Sequence, residues 1–345
     1  MRIFSATSRK VRKVDNRSSP PPDLAVTFFA RSAKPTTPRL LGTDSRRVHV
    51  PWIFEARATS VHKSHIEIDK PWEGSHNLPY DYLVIATGTL LAAPSMMPFD
   101  SKAPAVKYIQ DYQEQVQAAE HVTIVGGGAV GVQMALDIRE IYPGKQVTVV
   151  HSRGRLMQVY HEGLDRILRE AFAKQGIRLI TGTRAVVPEG GFPKEASKEE
   201  FEVRLNNGDS LHTNFVIPAT GQKPNTALLS TLPSTTSSPL INPSNGFLHV
   251  RPTLQLSDPA YPHIFAVGDI ADSGAHKAAR PGAVQSGVVA RNVLGLIERR
   301  GDGLEGYVPG PAGIHLSLGL RRNIVFRNPN VGEGETEPTV IEREE

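Results

Sequence analysis

The sequence contains no cysteine among its 345 residues. This absence excludes disulfide bridges, thiolate metal ligands, iron–sulfur ligation and any thiol nucleophile. Hydrophobic residues make up 39% of the chain and charged residues 21%, so there are enough apolar side chains to fill real cores. The length predicts two domains rather than one.

Long apolar runs are also missing. No stretch reaches the roughly 18 residues that a transmembrane helix needs. No apolar segment follows a charged start, as it would in a secretory signal. The first 14 residues are basic and free of acids, which is a weak match to a mitochondrial transit peptide. We therefore expect a cytoplasmic or mitochondria-associated protein.

Acidic residues are scarce at the start of the chain, where residues 1–47 hold eleven Lys/Arg and three Asp/Glu. Two proline-rich breakers, Ser18–Pro22 and Lys34–Pro38, interrupt this segment. We expect a basic, disordered head, and a solvated tail is the favoured interpretation. A membrane-surface patch stays open. Nucleic acid is not favoured as a partner, because aromatic residues are not interleaved with the charges on a folded face.

A glycine-rich loop follows a buried strand and opens a helix. Val122–Val125 is an apolar strand, residues 126–131 fit G-x-G-x-x-G, and Ala129–Ile141 is apolar at helical spacing. A second strand, Gln146–Val150, follows as a βαβ unit requires. This context makes the motif strong evidence for a dinucleotide site.

The glycines of this loop have separate physical roles. Gly126 permits the tight turn, Gly128 lets a pyrophosphate approach the backbone, and Gly131 lets the helix pack close to the strand. The free amides at the helix start then face the phosphates. The predicted cofactor contacts in the loop are Gly126, Gly127, Gly128, Ala129, Val130 and Gly131.

The second strand lacks the acidic residue that would bind the ribose 2′-hydroxyl of NAD. It is followed by His151, Ser152 and Arg153, which we expect to contact the cofactor. Arg153 and Arg155 offer charges for a 2′-phosphate. We therefore favour NADPH, or tolerance of both NADPH and NADH; the alternative is that these arginines are simply solvated.

Four short motifs occur in a specific order: Tyr80–Gly88, the glycine loop, Ala219–Gly221 and Gly268-Asp269. In this order they resemble the two-dinucleotide flavoproteins of the pyridine nucleotide–disulfide oxidoreductase superfamily. Val149–Arg153 and Ile314–Gly319 look like the branch that contains apoptosis-inducing-factor-like proteins and ferroptosis suppressors.

This resemblance implies an α/β fold, in which a Rossmann-like three-layer ββα/βα NAD(P) domain is inserted in a partial FAD-binding domain and the C-terminal segment is truncated. The domain boundaries that we expect are a head at 1–47, FAD-domain segments at 48–118 and 226–300, the NAD(P) domain at 119–225, and an interface segment at 301–345.

The same resemblance implies an FAD-dependent NAD(P)H oxidoreductase. Hydride would pass from the nicotinamide to the flavin at a contact of about 3–3.5 Å between the reacting atoms. The electrons would leave to a quinone-like small molecule or a carrier protein. Disulfide reductase chemistry is excluded, because the chain has no thiol pair. A homodimer is a further expectation, and no metal ligands are assigned.

Several flavin contacts follow from the resemblance. Thr87 and Gly88 close the first Ala-Thr-Gly motif, and Gly221 closes the second. Gly268 and Asp269 follow a buried strand, where the carboxylate would bond the ribityl or phosphate region of FAD. The alternative for Asp269 is a plain helix N-cap.

Two residues are assigned to the chemistry by the same resemblance. Lys277 would lie near the isoalloxazine, where a cation favours the reduced, anionic flavin; its alternative is a solvated loop lysine. Gln133 stands where relatives place a glutamate near the nicotinamide carboxamide, and it still offers a donor and an acceptor. Gln285 would pack against the flavin ring, with a surface position as its alternative.

The chain departs from the superfamily in lacking the first glycine loop, which holds the FAD pyrophosphate. Before Pro79 the only glycines are Gly42 and Gly74. Without those backbone amides the pyrophosphate loses its main anion site. The alternative function is therefore a catalytically impaired, NADPH-binding remnant of such a flavoprotein.

Overall fold

The computed structural model describes residues 2–7, 25–30, 52–99 and 101–344. These residues form two compact units. The first comprises 1–90 and 223–309, and the second comprises 91–222 and 310–345. The first unit is thus made of two chain segments that the second interrupts, which is the arrangement predicted for an inserted domain.

Up to residue 222 the described chain forms fourteen strands of two to eight residues and three helices. They are β1 (Arg2–Thr7), β2 (Ala25–Ala30), β3 (Trp52–Phe54), β4 (Ala58–Val61), β5 (His65–Trp72), β6 (Ser75–Pro79), β7 (Tyr82–Ala86), β8 (Thr89–Leu90), α1 (Lys102–Ala118), β9 (His121–Val125), α2 (Ala129–Ile141), β10 (Gln146–His151), α3 (Glu162–Lys174), β11 (Arg178–Thr181), β12 (Phe201–Arg204), β13 (Ser210–Thr213) and β14 (Phe215–Pro218).

After residue 222 the described chain contains one long helix and several short strands. They are β15 (Lys223–Pro224), β16 (Leu248–His249), β17 (Ile264–Ala266), β18 (Ala271–Asp272), α4 (Ala279–Glu298), β19 (Gly313–Ser317), β20 (Arg322–Arg327) and β21 (Thr339–Glu344). Single 3₁₀ turns lie at Ala227–Leu229, Gly268–Ile270 and Val331–Glu333. None of the helices in the described part of the chain is both long and apolar enough to span a membrane.

The second unit is built on a parallel sheet with the strand order β11-β10-β9-β14. Helix α2 crosses over from β9 to β10 and buries Val132, Ala135 and Leu136, which share one helical face. The βαβ unit predicted from the sequence is therefore confirmed. Helix α2 ends at Ile141, before the Tyr142-Pro143-Gly144 stop that the sequence contains.

Helix α1 and the C-terminal strands also belong to the second unit. Val116 of α1 packs into the same hydrophobic core as Leu316, Ile324 and Phe326 of β19 and β20. For this reason the unit boundary falls before α1, at residue 90, whereas the sequence analysis placed it at 118. The segment 301–345 is likewise divided at residue 309. Its later part belongs to the second unit, where residues of β19 and β20 contribute to the hydrophobic core.

The first unit contains a five-stranded sheet with the order β17-β7-β1-β2-β3. Strand β7 pairs in parallel with β17 and with β1. Leu83 and Ile85 of β7 are buried in the unit's core together with Ile264. The apolar run at Tyr80–Gly88 predicts a strand buried on both faces. The strand is confirmed, but Tyr82, Val84 and Ala86 on its second face are only half-buried. A second sheet, β4-β5-β6, is antiparallel.

The head differs from the sequence analysis, which expected residues 1–47 to be disordered. Strands β1 and β2 both lie within it. The edge of β7 offers a row of unpaired amides and carbonyls, and an alternating segment such as residues 2–7 can satisfy them. The breakers Ser18–Pro22 and Lys34–Pro38 lie outside the described residues.

Three element boundaries also differ from the prediction. Residues 58–68 alternate like one strand, but a turn at 62–64 divides them into β4 and β5. The Asn207-Gly208 pair predicts one hairpin over 201–217. The hairpin ends at Thr213, whose buried hydroxyl bonds the His121 carbonyl, and the chain then continues as the parallel strand β14. The apolar spacing predicts a helix over 283–297. Helix α4 begins earlier, at Ala279, since Pro281 stands in the first turn, where proline is tolerated.

Candidate functional site

The glycine loop of the second unit connects β9 to α2 through a backbone that requires glycine at two positions. Gly126 has φ +129°, and a Cβ atom there would overlap with the carbonyl of Ala219. A Cβ atom on Gly131 would overlap with the carbonyl of Gly126. These two contacts match the turn and close-packing roles that the sequence predicts for Gly126 and Gly131.

Gly128 differs from these two glycines because it has open space around it. It is the N-cap of α2, and a Cβ atom there would meet nothing within 4 Å. No side chain caps the helix, and its first turn contains no acidic residue. The positive end of the helix dipole, with the amides of Ala129 and Val130, is thus left for an anion. This geometry fits a nucleotide diphosphate.

His151 has a structural role that the sequence analysis did not predict. Its Nδ1 accepts a hydrogen bond of 3.0 Å from the backbone N–H of Gly127. A Cβ atom on Gly127 would overlap with His151 and with Leu156. Burial lowers the pKa of His151, which favours the neutral imidazole that can accept this bond. His151 and Gly127 therefore fix the shape of the loop.

Ser152 and Arg153 follow β10 as exposed residues, close in sequence to the loop-fixing His151. The Arg153 guanidinium donates to Gln158 Oε1 over 2.9 Å. Arg155 Nη1 lies 3.7 Å from Glu162 Oε2. Both interactions are solvent-exposed and weak, so both guanidinium groups can be redirected to a phosphate.

Gln133 and Gly221 also lie in the second unit. The Gln133 amide donates to Ser317 Oγ over 2.7 Å, which fixes the orientation of its side chain. Gly221, with φ +96°, follows β14. The adjoining Ala219 donates its N–H to the carbonyl of Val125, which places the Ala-Thr-Gly turn against the glycine loop.

The first unit brings two glycines together at the carboxyl ends of neighbouring strands. Gly88 follows β7 with φ +64°, and Gly268 follows β17 with φ +74°. Because β7 and β17 are parallel neighbours, both turns lie at the sheet edge where α/β proteins bind ligands. Thr87 is fully buried and donates to the carbonyl of Asn225, so it holds this edge in place.

Asp269 lies in the 3₁₀ turn that starts at Gly268. The N-cap of that turn is Val267 and the N-cap of the following helix α4 is Ala278, so Asp269 caps neither of them. The half-exposed carboxylate can accept hydroxyl hydrogens from a ribityl chain. The cradle for the FAD pyrophosphate would follow β1, and residues 8–24 lie outside the described chain. The described residues therefore fit the ribityl half of FAD.

Gln285 of α4 is 1% exposed, so the surface alternative is wrong. Its Oε1 accepts the N–H of Gly268 over 2.7 Å, and its Nε2 donates to Ser273 Oγ over 2.9 Å. Both ends of the amide are thus used to hold the Gly268 turn. The pairing of Gln285 with Gly268 has no signal in the sequence, because a buried glutamine on an apolar helix cannot be recognised by spacing.

Lys277 is half-buried and is not a solvated loop lysine. Its ammonium donates to the carbonyl of Ala271 over 2.5 Å and lies 4.0 Å from the centre of the Phe247 ring. Burial lowers the pKa of Lys277, while the carboxylates of Asp272 and Asp269 act in the opposite direction. The side chain therefore brings a cation close to the Gly268 turn.

Comparison with known proteins decides the family. The family described as pyridine nucleotide-disulphide oxidoreductase matches residues 12–291. The chain belongs to this family. The family that the sequence motifs indicated is thus confirmed, and so is the fold class.

Individual members of the family are similar over most of the chain. FAD-dependent oxidoreductase FVFD30 of Flammulina velutipes is 32% identical over 71% of this chain and 72% of its own length. Ferroptosis suppressor protein 1 of Mus musculus is 31% identical over 76% of this chain and 66% of its own. The ferredoxin reductase of the CYP199A2 system from Rhodopseudomonas palustris has a TM-score of 0.56 at 20% identity, over 79% of this chain and 64% of its own.

The chain thus spans about two thirds of the length of these oxidoreductases. The sequence relatives support the branch that the motifs indicated, and the structural likeness supports the fold. This member of the pyridine nucleotide-disulphide oxidoreductase family has no cysteine, so it has no redox thiol pair of its own.

Proposed function

We propose that this protein is an FAD-dependent NAD(P)H oxidoreductase that passes electrons to a quinone-like small molecule or a carrier protein. The observation that carries the proposal is the start of α2. There, Gly128 leaves open space in front of a helix N-terminus without a side-chain cap or a nearby acid. Such a helix start stabilises a diphosphate through its backbone amides.

NADPH is the preferred nicotinamide cofactor in this proposal. No carboxylate occurs among residues 151–155, so the ribose 2′-hydroxyl of NAD has no acceptor at this place. Arg153 and Arg155 are exposed and held only by weak partners. A guanidinium group binds a phosphate through two parallel hydrogen bonds, which supports a role in binding the 2′-phosphate.

The flavin site would use the carboxyl edge of β7 and β17. Gln285 holds the Gly268 backbone, Asp269 offers a hydrogen-bond acceptor, and Lys277 supplies positive charge nearby. When bound, the flavin accepts hydride from the reduced nicotinamide and releases electrons to the acceptor. The protein's own contribution is positioning and electrostatics.

The absence of cysteine limits the class of electron acceptor that the protein can reduce. A disulfide substrate would require a thiol pair, which the chain cannot supply. The relatives named for FAD-dependent oxidation and for ferroptosis suppression support a non-thiol acceptor of quinone-like character. Association with a membrane surface, a homodimer, and a cytoplasmic or mitochondria-associated location stay predictions.

The second candidate function is an NADPH-binding remnant with an impaired flavin site. The observation that favours it is the lack of any G-x-G-x-x-G before Pro79. Strand β1 ends at Thr7 and is followed in sequence by Ser8, Arg9 and Lys10 instead of glycines. Without glycine amides at that strand end, the affinity for FAD falls.

The flavin content of the purified full-length chain separates the two functions. A yellow protein whose 450 nm absorbance bleaches on anaerobic addition of NADPH supports the oxidoreductase, and quinone-dependent NADPH oxidation identifies its acceptor. A colourless protein that binds NADPH in calorimetry but takes up no added FAD supports the remnant. A protein that binds neither nucleotide overturns both.

The glycine loop can be tested with one variant and one matched control. Gly128→Val fills the open space in front of α2 without meeting a protein atom, so the fold should survive while NADPH affinity is lost. Gly144→Val adds the same atoms at another open glycine of the same unit and should leave NADPH binding unchanged. Equal affinities in the two variants would contradict the proposed phosphate position.

A further inference from the structure

A tight turn in the first unit brings three potential metal ligands together. Strands β4 and β5 are joined through residues 62–64, and His62 N–H donates to the carbonyl of His65 over 2.9 Å. Ser60 of β4 pairs directly with Glu67 of β5. Residues at such paired positions have adjacent side chains, so the turn gathers the side chains of Ser60, His62, His65 and Glu67.

Strand alternation decides which way these side chains point. Ile66 and Ile68 are 1% and 2% exposed and pack into the core of the unit. His65 and Glu67 alternate with them and therefore share the opposite face of β5. The sequence signal for the group is His-x-x-His-x-Glu at 62, 65 and 67, which the sequence analysis did not single out.

The possible ligand atoms of His62, His65 and Glu67 lie within 4.8 Å of one another. His62 Nε2 lies 3.5 Å from Glu67 Oε1. The two imidazole rings stack with their centres 4.4 Å apart and their planes 13° from parallel. All three residues are half-buried, and the side chains of His62 and Glu67 are 33% and 46% exposed.

The backbone around the turn is held by neighbouring residues of the same unit. Tyr80 donates its hydroxyl hydrogen to the carbonyl of His62 over 2.5 Å. The His263 ring makes a 2.7 Å contact with the carbonyl of Lys63. Both contacts are to backbone atoms, so they hold the turn without using the imidazoles of His62 and His65. The His62 ring itself contacts Ser60 Oγ over 3.1 Å. A turn whose backbone is held in advance is suited to binding an ion.

A hydrogen bond from Ser60 orients the carboxylate of Glu67. The Ser60 hydroxyl donates to Glu67 Oε2 over 2.7 Å, which leaves Oε1 directed at His62. Carboxylates that bind a metal are usually hydrogen-bonded in this way by a neighbouring residue, which fixes their orientation.

We propose that His62, His65 and Glu67 bind one Zn²⁺ ion, with water in the fourth position. Two imidazole nitrogens and one carboxylate oxygen are a ligand set that Zn²⁺ takes in tetrahedral geometry. A metal ion lies in the plane of each imidazole that binds it, so one of the stacked rings turns about its Cβ–Cγ bond on binding. The exposed side of the rings leaves room for that rotation.

The position of the turn indicates a structural role for the ion. His263 contacts the turn and precedes β17, whereas Gly268 of the candidate flavin edge follows β17. The proposed metal site therefore lies at the opposite end of that strand from Gly268. The ion would clamp the β4–β5 turn and would take no part in electron transfer.

Calorimetric titration of tag-free, chelator-dialysed full-length protein with Zn²⁺ near neutral pH tests the proposal. We expect one high-affinity equivalent. His65→Gln and Glu67→Gln should each weaken it at least about tenfold, the smallest loss that follows removal of even an outer-shell partner. The matched control His212→Gln removes an exposed histidine from β13 and should keep the full affinity.

Two further measurements make the test independent of expression or folding differences. Co²⁺ in place of Zn²⁺ should give the strong visible absorption of a tetrahedral site in the parent protein and in His212→Gln, but not in His65→Gln. Zn²⁺ should raise the melting temperature of the same two proteins only, because an ion that binds the folded state stabilises it. Far-ultraviolet circular dichroism verifies that each variant is folded.

Several results would overturn the metal site. These are the absence of a high-affinity equivalent in the parent protein, an unchanged affinity in a folded His65→Gln variant, or an equal loss in His212→Gln. In each of these cases the turn is a hydrogen-bonded cluster of Ser60, His62 and Glu67 that needs no ion.

Discussion

The backbone N–H of Gly127 donates to Nδ1 of His151, so the last residue of β10 fixes the glycine loop that follows β9. This relationship joins the two strands of the βαβ unit at the place where the cofactor is proposed to bind. It also makes the shape of the loop depend on the protonation state of one imidazole.

The first prediction concerns pH. The pKa of His151 is lowered by burial and by the charge of Arg153, while the carbonyl of Arg155 and the carboxylate of Asp165 oppose this shift. Because the folded-state pKa lies below the unfolded value of about 6.5, the stabilisation is present above that value and is lost as the pH falls through the folded-state pKa. Thermal unfolding from about pH 7.5 down to pH 5 should show this loss.

Substitution of His151 separates its hydrogen bond from its charge. His151→Asn keeps an acceptor near the position of Nδ1 and cannot be protonated, so it should flatten this part of the pH profile. His151→Leu leaves the Gly127 amide without an acceptor, which costs about 1–3 kcal/mol. A parent-like pH profile in His151→Asn would show that another group causes the dependence.

The second prediction concerns close packing in the loop. Gly131→Ala places a methyl group onto the carbonyl of Gly126. Overpacking of this kind costs about 1–3 kcal/mol, and it should lower both the stability to urea and NADPH affinity. Gly144→Ala adds a methyl group in open space and is the control. Equal stability of the two variants would contradict the described loop.

The third prediction concerns Gln285 and the Gly268 turn. Gln285→Leu fills the buried volume but leaves the Gly268 N–H without its acceptor, which costs about 1–3 kcal/mol. Gln285→Glu keeps that acceptor and loses the donor to Ser273. We expect the ratio of bound flavin to protein to fall further in the leucine variant. A flavin ratio unchanged in both variants would argue against a role of this turn in binding.

The fourth prediction concerns the C-terminal segment. Phe326 of β20 is fully buried in the core of the second unit and packs edge-on against Tyr160. Phe326→Ala should destabilise the protein by about 3–5 kcal/mol, measured by denaturant unfolding. Val331→Ala, at a residue that is 80% exposed, should have almost no effect. Similar losses in both would contradict the placement of β20 in this core.

The parts of the fold that the sequence predicted are those with a local physical signature. The strand–loop–helix around Gly126 combines apolar runs, helical periodicity and two glycines, Gly126 and Gly131, whose places allow no Cβ atom. The strand Tyr82–Ala86 is recognisable because its run is continuously apolar, as in strands that pack on both faces of a parallel sheet, although its second face is only half-buried.

The parts that the sequence did not predict depend on distant partners. The packing of α1 and β20 into one core joins segments from opposite ends of the second unit. Burial of Gln285 depends on the Gly268 amide, which no periodicity reveals. The turn at 62–64 was missed because it contains lysine and serine, without the Asn-Gly or Asp-Gly pair that usually marks a tight hairpin.

The carbonyl of Ala219 occupies the place where Gly126 would carry a side chain, and Ala219 enters the sequence long after the glycine motif. During synthesis the whole motif therefore leaves the ribosome well before the strand that completes its surroundings. A truncated chain that ends before β14 would contain every glycine of the loop but not the carbonyl that packs against Gly126. In this protein, the surroundings of the glycine loop are completed only late in translation.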